Sequence, residues 1–210
     1  MKRFLFSCIA IALFLTPLTA MAQSPSEVLQ TALNQVQDVL NDPAYAGQDM
    51  KDAQSDKLVA IIKSLFDFRL ICRLTVANHW KNFSDPEQDT FVQAFEDLLQ
   101  ATYLHSMMRN TDVTTMVVGE TELRPNKYEV QAEVTSAEQP EPLPMAFRMV
   151  FKDEEWKVYD VVVEGVSMVK NYRTQFQELL QTKSPAELTQ VVRDKAAKAE
   201  AGDLDEHGNQ

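Results

Sequence analysis

Apolar and polar positions follow two periods along this chain, one after the other. From Ser24 to Met108 apolar residues recur every three to four positions, the spacing of a helix face. From Val113 to Glu164 they recur every second position, the spacing of half-buried strands. After Gly165 the helical spacing returns. Three helix starts share one grammar: Ser24-Pro25 with Glu27, Ser84-Asp85-Pro86 with Glu87, and Ser184-Pro185 with Glu187. In each, the serine can cap an exposed N–H and the glutamate can reach back.

The first helix is predicted to run to about Asn41, with Val28, Leu29, Ala32, Val36, Val39 and Leu40 on one side. Asp52 to Phe66 and Asp67 to Trp80 read as two more helices. Pro86 to Met108 is the longest, and Phe91, Phe95, Leu98, Leu99, Thr102 and Met107 give it a broad apolar stripe with Tyr103 near the edge. Four strands are expected: around Val113–Val117, Tyr128–Val134, Met145–Phe151 and Trp156–Glu164. The turns are "RPNK", the proline-rich "EQPEPLP" and "KDEE". The fourth strand is apolar on both sides. Strict alternation sends Tyr159, Val161 and Val163 one way and Trp156, Val158 and Val162 the other, so both faces should be covered. Ser167 then caps a helix carrying Val169, Tyr172, Phe176, Leu179 and Leu180. Helices, then a strand meander, then helices make an α+β domain: an antiparallel sheet of about four strands covered by several helices.

The N-terminus changes the picture of the compartment. Lys2 and Arg3 precede an apolar run from Phe4 to Leu15, too short to span a bilayer as a helix, and Ala20-Met21-Ala22 follows. This reads as a secretory signal peptide, residues 1–22, cleaved after Ala22. Cys8 lacks the small-residue context of a lipid-anchor site. The expected organisation is a leader over 1–22, one domain over 23–194 and a flexible tail over 195–210. No later stretch has the length and apolarity of a membrane span.

Lys2 and Arg3 leave with the leader, so the mature chain is more negative than the −11 of the full sequence. Such a surface repels nucleic acid and anionic membranes alike. Only Cys72 remains, which excludes an internal disulfide, and its neighbours Leu70, Ile71 and Leu74 mark it as a buried thiol. No zinc spacing, nucleophile elbow or phosphate loop is present. No catalytic residue, metal or cofactor is expected.

Three stretches carry a resemblance. "HWK…PEQ" at His79–Gln88, "LLxxTY" at Leu98–Tyr103 and "WKVYDVxVEGVS" at Trp156–Ser167 are similar to the MlaC, or toluene-tolerance auxiliary, family. The likeness extends over roughly Val28 to Val192. One departure stands out: the family often has a glycine shortly before the aromatic at Trp80, where this chain has Thr75-Val76-Ala77-Asn78.

The resemblance implies a periplasmic phospholipid carrier, a monomer with no stable membrane insertion. It would exchange lipid with an inner-membrane ABC complex and an outer-membrane lipoprotein–porin complex, maintaining outer-membrane lipid asymmetry. It also implies an apolar cavity between sheet and helices. Each acyl methylene taken from a bilayer needs about 0.8 kcal/mol of replacement environment, so a chain of about 15 needs roughly 12 kcal/mol. A dry pocket near the upper end of the usual ~300–1,000 Å³ meets that demand.

The candidate lining from the sheet is Met149, Phe151, Tyr159, Val161 and Val163. From the first helices it is Phe68, Val76, Trp80, Phe91, Phe95, Leu99, Tyr103 and Met107. From the region after the sheet it is Val166, Val169, Tyr172 and Phe176. Arg148, Lys170 and Arg173 are the candidate headgroup cations.

Two other readings stand beside this one. A helix-covered curved sheet, as in NTF2-like folds, also hosts small isomerases and hydratases built on a Tyr–Asp pair. Tyr159 and Asp160 are expected on opposite faces of their strand, which disfavours it. A hydrophobic-protein chaperone of the same compartment would need a half-open barrel of many more strands.

Overall fold

A computed structural model describes residues 23–137 and 141–202. The proposed leader and the last eight residues lie outside the described residues. So do Glu138, Gln139 and Pro140 of the proline-rich connection.

Among the described residues, six α-helices and five strands follow the expected order. The helices are α1 (Pro25–Asn41), α2 (Lys51–Leu65), α3 (Phe68–Val76), α4 (Asp85–Arg109), α5 (Met168–Leu179) and α6 (Pro185–Glu200). The strands are β1 (Thr114–Arg124), β2 (Lys127–Thr135), β3 (Leu143–Lys152), β4 (Glu155–Val163) and β5 (Val166–Ser167), paired in that order and all antiparallel. The three S-x-x-E starts are capping boxes, with the Ser24, Ser84 and Ser184 amides donating to Glu27, Glu87 and Glu187 at 2.9, 2.8 and 2.8 Å.

One face of the sheet packs on α1 and α2. Leu29, Ala32 and Leu65 close over Val130, Ala132, Phe147, Met149 and Val158. The free edge of β1 is partly screened by α1: Val117 N–H donates to Gln30 at 3.0 Å, and Glu120 accepts from the Ser26 amide at 3.1 Å. This limits the exposed ladder that makes edge strands prone to pairing. A second cluster lies among the helices, where α3, α4, α5 and α6 bury Ile71, Phe91, Phe95, Leu98, Phe176, Leu188 and Val192. Phe66 packs against both clusters. It pairs with Val158 as an isolated parallel bridge, and the next amide, Asp67, donates to the Val158 carbonyl at 2.9 Å.

The structure departs from the sequence reading at five places, each with a local cause. β4 does not alternate strictly. Arg148 pairs with Asp160 but Met149 pairs with Val158, so Tyr159 is an extra, bulged residue. A bulge flips the side-chain parity beyond it. Trp156, Val158, Val161 and Val163 therefore share the inner face, while Asp160 and Val162 share the outer one. β1 extends to Arg124 instead of stopping near Val117, because register shifts after Val117 and Glu122 break its period. A fifth strand exists, too short at two residues to show any period. α6 continues to Glu200, where the sequence suggests a tail from Lys195, because Ala196 and Ala199 are buried.

The fifth departure is at Val76. The helix expected to reach Trp80 stops there, and Ala77–Asn82 continues as a 3-10 segment. Ala77 turns the chain at φ 50° and ψ −120°, a conformation that glycine adopts freely and alanine does not. It lies in the stretch Thr75-Val76-Ala77-Asn78, where the family that this chain resembles often has a glycine. Relief of about 1–3 kcal/mol of backbone strain outweighs glycine's entropic cost of roughly 0.5–1 kcal/mol. Ala77→Gly is therefore expected to raise stability by about 1 kcal/mol, seen as a melting-point gain of about 2–4 °C. An unchanged or lower melting point means the φ value carries no strain.

Candidate functional site

The apolar stripe of α4 and the inner side of α5 face one another and form a graded row. Phe91 meets Phe176 edge-on with ring centres 5.8 Å apart. Phe95 meets Phe176 at 5.6 Å and Tyr172 at 4.8 Å, both edge-on. These are favourable aromatic geometries, and they bind the two helices into one wall. The i, i+4 spacing of Phe91, Phe95, Leu99 and Tyr103 sets the row on α4.

Exposure rises along this row. Phe91 and Phe95 are fully buried, Leu99 is 9% exposed and Tyr103 is 40% exposed. On the other side Phe176, Tyr172 and Val169 are buried, while Val166, just before α5, is 63% exposed. Val166 pairs with Val163, itself 36% exposed, and Val163 pairs with Met145. The row thus runs from a dry end at Phe91 to an apolar, open end at Tyr103 and Val166. Met107 is half-buried, one helical turn beyond Tyr103.

Phe68, Val76, Phe91, Phe95, Leu99, Val169, Tyr172 and Phe176 fall in the helical cluster, with Trp80 packed at its margin. Trp80 stacks on Phe83 at 6.0 Å and lies under the Arg69 guanidinium at 5.6 Å. Met149 and Val161 belong to the sheet cluster. Phe151 packs on Trp156 at 5.1 Å, away from the helical row. Tyr159 is on the outer face, beneath the Lys127 ammonium at 5.1 Å.

The candidate lining left out Leu98 and Ala94, which lie with α6 side chains in the helical cluster, and Phe147, Val130 and Val158 on the sheet. The alternation Met145-Phe147-Met149 was the signal for Phe147. α6 had no comparable signal for what it covers.

The three headgroup cations separate. Arg148 is held by Glu129 at 2.9 Å and Asp160 at 3.1 Å on the outer face. Arg173 donates from Nε to the Leu74 carbonyl at 2.7 Å and ties α5 to α3. Lys170 is exposed in the first turn of α5, next to Val169.

Asp160 is 3% exposed and fully used. It accepts from the Ser167 hydroxyl at 2.6 Å, the Val169 amide at 3.0 Å and Arg148. Ser167 in turn caps Lys170 at 3.0 Å. The carboxylate thereby fixes the start of α5 to the sheet, where a negative charge also suits the helix dipole. The bulge corrects the expectation about Tyr159 and Asp160, since both face outward. Asp160 is nevertheless poorly placed as a base, because its oxygens already hold three donors. Burial, then the nearby Glu96 charge, push the Cys72 thiol well above its ordinary value, leaving it unreactive.

Two clefts open elsewhere. One of about 620 Å³ lies between α2, α3, α4 and the β3–β4 turn, with Phe66, Phe68 and Val92 among charged residues such as Lys63, Asp67, Glu96 and Lys152. The other, about 380 Å³, is bounded by Val28, Ala32, Phe151 and Trp156 among polar neighbours. Of the candidate lining, Phe68 borders the first and Phe151 the second.

The fold is shared with a solved protein. A phospholipid-binding protein from Ralstonia solanacearum, solved in complex with a phospholipid, superposes with a TM-score of 0.74 at 20% identity, over 84% of this chain and 99% of that one. In sequence, the chain is 24% identical over 177 residues to the intermembrane phospholipid transport system binding protein MlaC of Haemophilus influenzae, covering 81% of each. The MlaC protein family model matches residues 30–194, most of the described domain, and the chain belongs to that family.

Proposed function

We propose that this protein is a periplasmic phospholipid carrier, exported by the leader at residues 1–22. It takes lipid from one membrane complex and delivers it to another: an inner-membrane ABC assembly and an outer-membrane lipoprotein–porin assembly. The observation that carries this reading is the graded apolar row of α4 and α5. It is dry at Phe91 and opens at Tyr103, Val163 and Val166. An acyl chain is the ligand whose whole length wants such a wall, at about 0.8 kcal/mol per methylene. Membership of a family whose Haemophilus influenzae relative is named for phospholipid transport supports it. No helix among the described residues is long and apolar enough to cross a membrane. The negative surface opposes lasting adsorption to anionic lipid, as suits a shuttle that must leave each membrane.

Native mass spectrometry of protein purified from the periplasm is expected to show bound phospholipid at near one per chain. Lipid-free protein from cells, with no uptake from vesicles, would remove the proposal. Val163→Glu places a charge at the open end, at a site exposed enough to leave the fold intact. It is expected to lower bound lipid several-fold with an unchanged circular dichroism spectrum. Equal lipid content places the entrance elsewhere.

A further inference from the structure

The Tyr172 hydroxyl is the anomaly in the apolar row. Tyr172 is 3% exposed, and its oxygen is buried without a hydrogen-bond partner among the described residues. Its ring is packed edge-on against Phe95 at 4.8 Å and tilted on Phe176 at 5.5 Å, so it cannot swing out to water without opening that contact. Buried polar atoms are nearly always paired, and an unpaired one asks for a missing partner. A phenylalanine here would fill the same space at no polar cost.

We propose that this hydroxyl donates a hydrogen bond to an acyl-ester carbonyl of the bound lipid. This rests on the reading of the α4–α5 row as the acyl-chain wall. Tyr172 lies one step before the row opens, within electrostatic reach of the half-exposed Tyr103.

The chemistry favours an ester over a phosphate. The surroundings of the hydroxyl are aromatic, and Arg148 and Arg173 are engaged elsewhere. An anion placed there would be stripped of water without a counter-charge, whereas a neutral carbonyl needs only one donor. Burial, and after it Tyr103, push the Tyr172 phenol well above its ordinary value, so it stays a proton donor throughout the physiological range.

The test compares a diester phospholipid with its dialkyl-ether counterpart of the same headgroup and chain length, which lacks the carbonyl. Affinities are measured by competition on delipidated full-length protein. The wild type is expected to prefer the diester by about tenfold, the range of one newly satisfied buried hydrogen bond. Tyr172→Phe is expected to fold with an equal or higher melting point and to bind both lipids alike. A wild type that binds both equally overturns the inference while leaving the carrier reading intact; this is the result if an ordered water satisfies the hydroxyl. A Tyr172→Phe variant that keeps the preference overturns it too, by assigning the contact to another donor. A wild type that binds neither lipid overturns the carrier reading and this inference together.

Discussion

Asp160→Ala is expected to lower folding stability by about 3–5 kcal/mol, because it strands a buried amide and a buried hydroxyl, each at about 1–3 kcal/mol, while the loss of the part-exposed Arg148 pairing adds little. Three donors converge on this carboxylate, from Ser167, Val169 and Arg148. Alanine leaves the Val169 amide and Ser167 hydroxyl unpaired at a buried helix start, and leaves Arg148 only Glu129. For a domain of this size the loss corresponds to a melting-point drop of about 10 °C or more. Asp160→Asn should cost less, because an amide oxygen still accepts from the Val169 N–H. The measurement is urea unfolding at neutral pH. A loss under 1 kcal/mol would mean that water replaces the carboxylate and that α5 is held by its packing alone. The functional consequence follows from position. α5 carries Val169, Tyr172 and Phe176, so loosening its first turn should lower lipid retention before the fold is lost.

Sequence reading reached different depths in different parts of the molecule. The three capping boxes could be read directly, because each is a local exchange between a serine and a glutamate three residues on. The helical half of the candidate site was legible for a similar reason. Phe91, Phe95, Leu99 and Tyr103 repeat at i, i+4 on one helix, so one correct element places all four. The sheet half was less so. A single extra residue at Tyr159 reverses parity, and alternation then puts Trp156 and Val158 on the wrong side from Val161. Nothing local announces that bulge; it becomes visible only when Asp160 is seen paired with Arg148 and bound to α5. The cations show the same limit. Arg148, Lys170 and Arg173 looked alike in sequence, but carboxylates and a carbonyl that take up the two arginines come from elements up to 99 residues away. The break at Ala77 was signalled only as a missing glycine. The backbone makes the turn regardless, because Phe83 and Phe91 bury the chain on its far side at 5.3 Å between ring centres.

Phe95→Ala is the second large effect, and it separates core from ligand wall. Phe95 is fully buried and touches Phe91, Tyr172 and Phe176 with ring centres at 6.2, 4.8 and 5.6 Å. Truncation removes most of the ring and leaves neighbours that can collapse only in part, at about 3–5 kcal/mol. That figure applies to delipidated protein. In the lipid-loaded form two further effects enter. A ligand bound only by the native state adds RT ln(1 + [L]/Kd) to stability. The cavity left by the ring is apolar and dry, so methylenes of an adjacent acyl chain can move into it, each recovering up to about 0.8 kcal/mol. The melting-point loss of Phe95→Ala should therefore be clearly smaller with phospholipid bound than without it, and the variant's lipid affinity should match or exceed the parent's. Leu188→Ala serves as the comparison, since Leu188 is equally buried in the same cluster but comes from α6, outside the graded row. Its loss should be the same in both forms. If Phe95 and Leu188 respond alike to lipid, the ring is ordinary interior and the acyl chains run along another wall.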